Sequence, residues 1–216
     1  MIMHDLYIHY CKESKTMNEK KTYAYQKLDD PFRYEKFDNL SKTEALDYLK
    51  WYVGQINNRI AVLRDYVKRT TNFEIDLDYS EESLKKIWEW YEERIEVGTI
   101  SKEEMEENLK KTPRWIWESV MENNYKISSD TLCIAYDLGL YLGETVRRNN
   151  PCIYWGCVTT SKRMMLVNQP VLMGFVNKVV MEPRGVVKSL TLRTIKGSSN
   201  PTALINVYHE WLKDIE

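Results

Sequence analysis

Histidine, cysteine and the motifs of the common catalytic sites are scarce or missing in this sequence. Three histidines and four cysteines occur in 216 residues, without a Cys-x-x-Cys or His-Glu-x-x-His spacing. Zinc sites need clustered ligands, and the one conceivable set, His4, His9 and Cys11, lacks a nearby fourth ligand. The hydrolase elbow Gly-x-Ser-x-Gly and the glycine-rich phosphate loops are missing as well. The sequence therefore favours a protein without catalytic residues, metal or cofactor.

Cysteine usage and hydrophobicity bear on the cellular compartment. Four cysteines, at positions 11, 133, 152 and 157, are too few for the disulfide framework of a secreted protein. Residues 1–15 have neither the basic leader nor the long apolar run of a signal peptide. No apolar run approaches the roughly 20 residues that cross a bilayer. We predict a cytoplasmic protein with reduced thiols and no membrane contact.

The net charge is small, but the charges are unevenly distributed. A formal net charge of −1 gives no overall field that attracts nucleic acid, so direct nucleic-acid binding is not expected. Residues 74–107, in contrast, hold thirteen acidic and four basic residues, a balance of −9. Such a run is commonly a solvated helix face, and the alternative is a surface for a basic protein partner. For that alternative, the candidate partner-binding residues are Asp76, Asp78, Glu81, Glu82, Glu89, Glu92 and Glu93.

Residues 1–125 are predicted to form a mostly helical region. Ser41 and Glu44 fit a capping box, in which a serine hydroxyl and a glutamate three residues later satisfy free amide groups. Apolar residues then recur with a 3.6-residue period as far as Val67. This spacing predicts a long amphipathic helix.

Three further helices are expected in the same region. One begins after Ser80 and is predicted to end at Gly98, a third follows Ser101, and Pro113 opens a short fourth helix that carries Trp115. The chain has seven tryptophans and fifteen tyrosines. Each is expected to pack in the core, and the alternative for any of them is an interface.

Residues 126–216 are predicted to combine helices with a small antiparallel sheet. A helix over residues 129–149 carries Ala135, Gly139 and Gly143 on one face, which predicts the close approach of another element. Strands are predicted at residues 153–159 and 171–176, and a further strand at 163–167 is an open alternative. Residues 183–195 are predicted to form a helix in preference to a strand. A last helix follows Asn200-Pro201. The predicted fold class is α+β, predominantly helical, in one compact domain.

A few polar residues in the second region are candidates for a pocket. Asp137 and Glu144 share a helix face, as an acid–base pair would require, but the favoured alternative pairs Glu144 with the arginine at 147 or 148. Trp155, Asn168 and Gln169 would either line a small pocket with Glu144 or form an ordinary turn before a strand. The sequence leaves these alternatives open.

Residues 39–63 and 135–175, especially the segments YLGE, NNP, YWG and NQPVLMGF, resemble a group of cytosolic proteins from Gram-positive bacteria. That group has no established activity or catalytic residues, and it loosely resembles the immunity proteins that accompany secreted polymorphic toxins. The resemblance implies a non-enzymatic binder that neutralises a toxin domain through its acidic helical face. The alternative is a small enzyme or small-molecule-binding protein with a pocket near Glu144, Trp155 and Gln169.

Overall fold

The computed structural model describes residues 24–32, 36–160 and 165–215. These residues contain seven α-helices and two antiparallel pairs of short strands, which confirms the predicted class, a predominantly helical α+β fold. In chain order the elements are α1 (Lys42–Thr70), α2 (Glu81–Glu92), β1 (Val97–Thr99), α3 (Lys102–Lys110), α4 (Trp117–Glu122), β2 (Tyr125–Ile127), α5 (Ser129–Asn149), β3 (Tyr154–Cys157), β4 (Pro170–Met173), α6 (Pro183–Ile195) and α7 (Ala203–Leu212).

Helix α1 begins as its sequence predicts and buries most of the predicted apolar stripe, although Val53 is 40% exposed. The Ser41 amide donates to Glu44 Oε2 at 2.8 Å, and the Glu44 amide donates to Ser41 Oγ at 3.3 Å, so the capping box is confirmed. The buried face repeats with helical spacing and consists of Ala45, Tyr48, Tyr52, Ile56, Arg59, Ile60, Leu63 and Val67. One charged residue, Arg59, therefore lies within an otherwise uncharged buried stripe.

The prediction that Gly98 ends the second helix is wrong, because α2 ends at Glu92 and Gly98 lies in strand β1. Long-range hydrogen bonds explain the difference. The Glu96 amide donates to Thr131 Oγ1 at 2.9 Å, and the Ser128 amide donates to the Glu96 carbonyl at 2.9 Å. These bonds hold the chain around Gly98 extended, so that β1 pairs with β2. Because β2 is distant in sequence, the residues around Gly98 do not reveal this pairing.

Residues 97–127, all of which the structure describes, form a projection that we call the arm. Strands β1 and β2 are its stem, and α3 and α4 lie between them. Helix α3 starts with the capping box of Ser101 and Glu104. The short helix expected at Pro113 begins as a 3-10 turn over Arg114–Ile116 and becomes α-helical at Trp117. None of the arm's residues is buried.

Helix α5 has the predicted bounds and is the centre of the fold. A methyl group added to Gly139 would lie 2.6 Å from Arg184 Cα, and one added to Gly143 would lie 2.8 Å from the Trp155 ring. The close approach predicted for these glycines is therefore confirmed. It is made by the start of α6, whose first amides are capped by the Glu182 carboxylate. The helical prediction for residues 183–195 is confirmed as well.

The β3–β4 pair is shorter than predicted and pairs Trp155 with Leu172. Strand β4 ends at Met173 because Gly174 turns the chain with a φ of +107°. The possible strand at 163–167 falls partly on residues 161–164, which lie outside the described residues, although Val167 forms an isolated bridge with Val158. Buried residues from both predicted regions join one hydrophobic cluster. Within the described ranges, no helix combines the length and apolar character needed to cross a lipid bilayer.

Candidate functional site

Glu144 lies buried on α5, with 3% of its surface exposed, and its carboxylate accepts four hydrogen bonds. Arg147 donates two at 2.8 Å, Arg148 donates one at 3.1 Å, and the Trp155 indole donates one at 2.8 Å. The predicted pairing of Glu144 with the following arginines is confirmed. Burial alone would raise the pKa of Glu144, but the hydrogen bonds from Arg147, Trp155 and Arg148 outweigh it and lower the pKa.

Asp137, two turns earlier on the same helix, has different partners. Arg59 of α1 donates from Nε to Oδ1 at 3.0 Å and from Nη2 to Oδ2 at 2.5 Å, and the Tyr25 hydroxyl donates to Oδ2 at 2.5 Å. Burial and the Asp137 carboxylate raise the pKa of Tyr25 well above its usual value, so this hydroxyl remains a donor. Asp137 and Glu144 thus belong to two separate ion-pair networks.

Residues 24–32 form an extended segment, which we call the strap, and the Asp137 network holds it in place. Besides the Tyr25 contact, Arg59 Nη2 donates to the Gln26 carbonyl at 2.6 Å. Lys27 Nζ donates to Ser129 Oγ at 2.7 Å near the start of α5. The strap therefore bridges α1 and α5.

A small cleft of about 20 Å³, which we call the Tyr52 cleft, opens between α1, α5 and α6. Its polar lining consists of Tyr52, Gln55, Arg59, Tyr136, Asp137 and Arg184. The Arg184 guanidinium lies 4.7 Å from the centre of the Tyr52 ring and 5.5 Å from that of Tyr136. Sequence reasoning missed this site because its residues come from three separate helices.

The predicted pocket residues are brought together only in part. Glu144 and Trp155 are in contact, and the Trp155 ring packs edge-on against Tyr52 at 5.5 Å, beside the cleft. Asn168 instead donates to the Phe37 and Leu40 carbonyls, at 2.9 and 3.1 Å. Gln169 donates to the Met165 carbonyl at 3.3 Å. Neither amide side chain lines the Tyr52 cleft.

The candidate acidic residues fall into two groups. Asp78 and Glu92 serve the fold. Hydrogen bonding by the side chain and the backbone amide of Ser80 lowers the pKa of Asp78, whose Oδ1 accepts from that amide. Glu92 Oε1 accepts from Thr194 Oγ1 and the Asn200 amide at 3.1 Å. The remaining candidates are exposed and consist of Asp76, Glu81, Glu82, Glu89 and Glu93. We call these five the acidic surface.

Three members of the acidic surface have a nearby basic side chain. Glu81 Oε2 lies 3.0 Å from His209 Nε2, Glu82 Oε1 lies 3.4 Å from Lys86 Nζ, and Glu93 Oε2 lies 3.4 Å from Arg94 Nη1. The three carboxylates are largely exposed, and such surface pairs contribute little to stability. Their carboxylates therefore remain accessible to a partner.

The arm exposes large apolar side chains close in sequence to the acidic surface. Trp115 is 84% exposed, Val97 is 53% exposed and Met121 is 51% exposed. The expectation that each tryptophan packs in the core is wrong for Trp115. The apolar spacing around Trp115 predicts a helix face, but it does not show whether another element covers that face. The sequence therefore could not predict the exposure of Trp115.

The described residues contain no group of three or more His, Cys, Asp and Glu side chains that could hold a metal ion. His4, His9 and Cys11 lie outside those residues. The chain matches no family model, no curated protein and no solved structure. The fold and the chemistry of its surfaces therefore carry the functional argument.

Proposed function

We propose that this chain is a non-enzymatic cytoplasmic protein that binds and neutralises a protein partner with a basic surface, such as a toxin domain. The observation that carries the proposal is Trp115, which is 84% exposed on an arm without buried residues. Exposed tryptophan is unfavourable in water, and tryptophan is enriched among the residues that dominate binding energy at protein interfaces. The arm supplies an anchor that the folded core does not use.

The charge around the arm supports a basic partner. The acidic surface leads along the chain into the arm, where Glu103, Glu106 and Glu107 are also exposed. Residues 74–107 carry a balance of −9 in a chain whose net charge is only −1. A concentrated field of one sign accelerates association with a partner of the opposite sign. Exposed carboxylates and an exposed apolar anchor are the combination expected of such an interface.

The state of the buried carboxylates supports a binding role in preference to catalysis. Asp137 is held by Arg59 and Tyr25, and Glu144 is held by Arg147, Arg148 and Trp155. A general acid or base must reach a substrate within hydrogen-bonding distance. These two carboxylates are instead occupied by neighbours that fix their position.

The proposal is tested with the tagged full chain in its native host and with the product of any neighbouring toxin gene. We expect a stoichiometric partner with a basic surface and protection of cells that express the toxin. Trp115→Ala should abolish both, whereas Met165→Ala, which alters a residue 85% exposed elsewhere, should abolish neither. Equal binding by the two variants, or no protection by the unaltered chain, would contradict the proposal.

A second candidate function rests on the Tyr52 cleft. In this alternative the chain is a small enzyme or small-molecule-binding protein whose site adjoins Glu144 and Trp155, with Gln169 outside the cleft. The supporting observation is the polar lining that Tyr52, Arg59 and Arg184 give to a water-sized space. A thermal-shift screen of small metabolites that finds no ligand would remove this alternative.

A further inference from the structure

The Tyr52 hydroxyl is buried and has no hydrogen-bond partner among the described residues. The side chain as a whole is 2% exposed and lines the Tyr52 cleft. Its hydroxyl is close enough to feel the charges of Arg184, Glu182 and Asp137, of which Arg184 and Asp137 line the same cleft. Buried hydroxyl groups almost always have a partner, and an exception points to a bound ion, water or ligand.

The charges around the cleft favour an anion as that partner. Its lining holds two cations, Arg59 and Arg184, and one carboxylate, Asp137. Both Asp137 oxygens already accept hydrogen bonds from Arg59, and one of them also accepts from Tyr25. The lining therefore combines an excess positive charge with a hydroxyl that can donate.

Two residues of opposite charge, Glu182 and Lys188, lie behind the lining of the cleft and leave its net charge unchanged. Glu182 Oε1 lies 3.2 Å from Arg184 Nε, and the same carboxylate caps the amides of Arg184 and Gly185. Lys188, one helical turn after Arg184, is half-buried and lies near Glu182. Glu182 is thus occupied by its own helix, and Lys188 adds a positive charge that offsets it.

We propose that the Tyr52 cleft encloses a whole small monovalent anion, either chloride or formate. The Tyr52 hydroxyl donates to it, and the Arg184 guanidinium supplies the opposite charge. The cavity volume of about 20 Å³ fits a group little larger than water and excludes bulky anions. Leu28 of the strap forms part of the wall, so the anion also holds the strap against α1 and α5.

The experiment measures thermal unfolding of the full chain in sodium chloride, sodium formate and sodium gluconate at equal ionic strength. Gluconate is too large for the cleft and controls for general salt effects. We expect the Tm to rise with the logarithm of chloride or formate concentration relative to gluconate. The salt with the larger rise identifies which of the two anions the cleft prefers.

Two variants locate the effect. Tyr52→Phe removes only the hydroxyl, and it should weaken the anion affinity roughly tenfold or more, since hydrogen bonds to charged groups are strong. Tyr91→Phe is the matched control, because Tyr91 is a buried tyrosine outside the cleft whose hydroxyl lies 2.9 Å from Thr191 Oγ1. It should lower the Tm in every salt and keep the difference between chloride and gluconate.

Line broadening in the chloride-35 NMR spectrum gives a readout that does not depend on stability. We expect broadening by the unaltered chain that formate displaces and that Tyr52→Phe reduces at the same chloride concentration. Identical Tm values in the three salts, or an anion-specific effect of unchanged size in Tyr52→Phe, would overturn the proposal. The result is independent of partner binding, since Trp115→Ala leaves the cleft intact.

Discussion

Helix α5 and the arm are adjacent in sequence, but α5 is mostly buried and the arm is not. Fifteen of the 21 residues of α5 are buried, whereas none of the arm's residues is. Helix α5 buries two carboxylates, Asp137 and Glu144, and pairs each one with arginine. The arm leaves Trp115, Met121 and most of its carboxylates exposed to water. Burial is therefore concentrated in α5, whereas the proposed partner-binding anchor lies in the arm, and substitutions should separate their effects.

The largest effect is expected at the Arg59–Asp137 pair. Arg59→Met leaves a buried carboxylate without its cation, which should cost about 3–5 kcal/mol of unfolding free energy. Hydrogen exchange should quicken in α1 and α5, while the arm, none of whose residues is buried, should exchange at its former rate. Arg69→Met breaks an exposed pair with Asp65 in the same helix and should cost less than about 1 kcal/mol in urea denaturation. Similar losses of unfolding free energy in Arg59→Met and Arg69→Met would contradict the expected difference between a buried and an exposed ion pair.

Two glycine substitutions test the close packing on α5. Gly139→Ala places a methyl group against the Arg184 backbone and should destabilise the protein by about 1–3 kcal/mol. Gly54→Ala, on the exposed side of α1 with nothing nearby, should stabilise it by about 0.5–1 kcal/mol. Chemical denaturation of both variants checks the signs. A stabilising Gly139→Ala would show that α6 packs less closely than the structure indicates.

Glu144 should make stability depend on pH in the acid range. Its pKa in the folded state lies below the ordinary value of 4.5, so its contribution is complete above that value and is lost as the pH falls through the folded-state pKa. Glu144→Gln should lose about 1.5 kcal/mol at neutral pH, and the difference from the unaltered chain should shrink in acid. Glu107→Gln, at an exposed pair with Lys111, serves as the control. A difference that stays constant with pH would argue against this assignment.

The smallest effect on stability is expected in the arm. Trp115→Ala should change the unfolding free energy by less than about 0.5 kcal/mol, since the side chain is 84% exposed. Trp88→Ala, at a fully buried tryptophan of α2, should cost about 3–5 kcal/mol. Thermal and urea denaturation provide both numbers. A large loss for Trp115→Ala would mean that the arm contributes to the folded core.

Local signals explain which elements the sequence could predict. Ser41 and Glu44 cap α1 through neighbouring backbone groups, and the spacing of Gly139 and Gly143 marks a packed face, so both features are visible in short windows. Strands β1 and β2 have three residues each and depend on pairing across the whole arm. No short stretch of sequence around either strand therefore predicts their pairing.

The Tyr52 cleft and the exposure of Trp115 depend on tertiary structure in the same way. Tyr52, Asp137 and Arg184 meet only after three helices have docked. One sequence signal could have indicated part of the cleft: Arg59 lies in the apolar stripe of α1, and Asp137 lies in that of α5. Opposite charges on two buried faces suggest that the faces meet.

The stem of the arm has a consequence for how the chain is assembled. The Ser128 amide lies 2.9 Å from the Glu96 carbonyl, so the two ends of a 31-residue excursion leave the body at one point. Topologically the arm is an insertion, and a tight hairpin turn would join β1 to β2 without disturbing α2 or α5. Such a place tolerates changes in length and composition better than any position in the core. The arm could thus be exchanged or shortened by design while the rest of the fold keeps its connections.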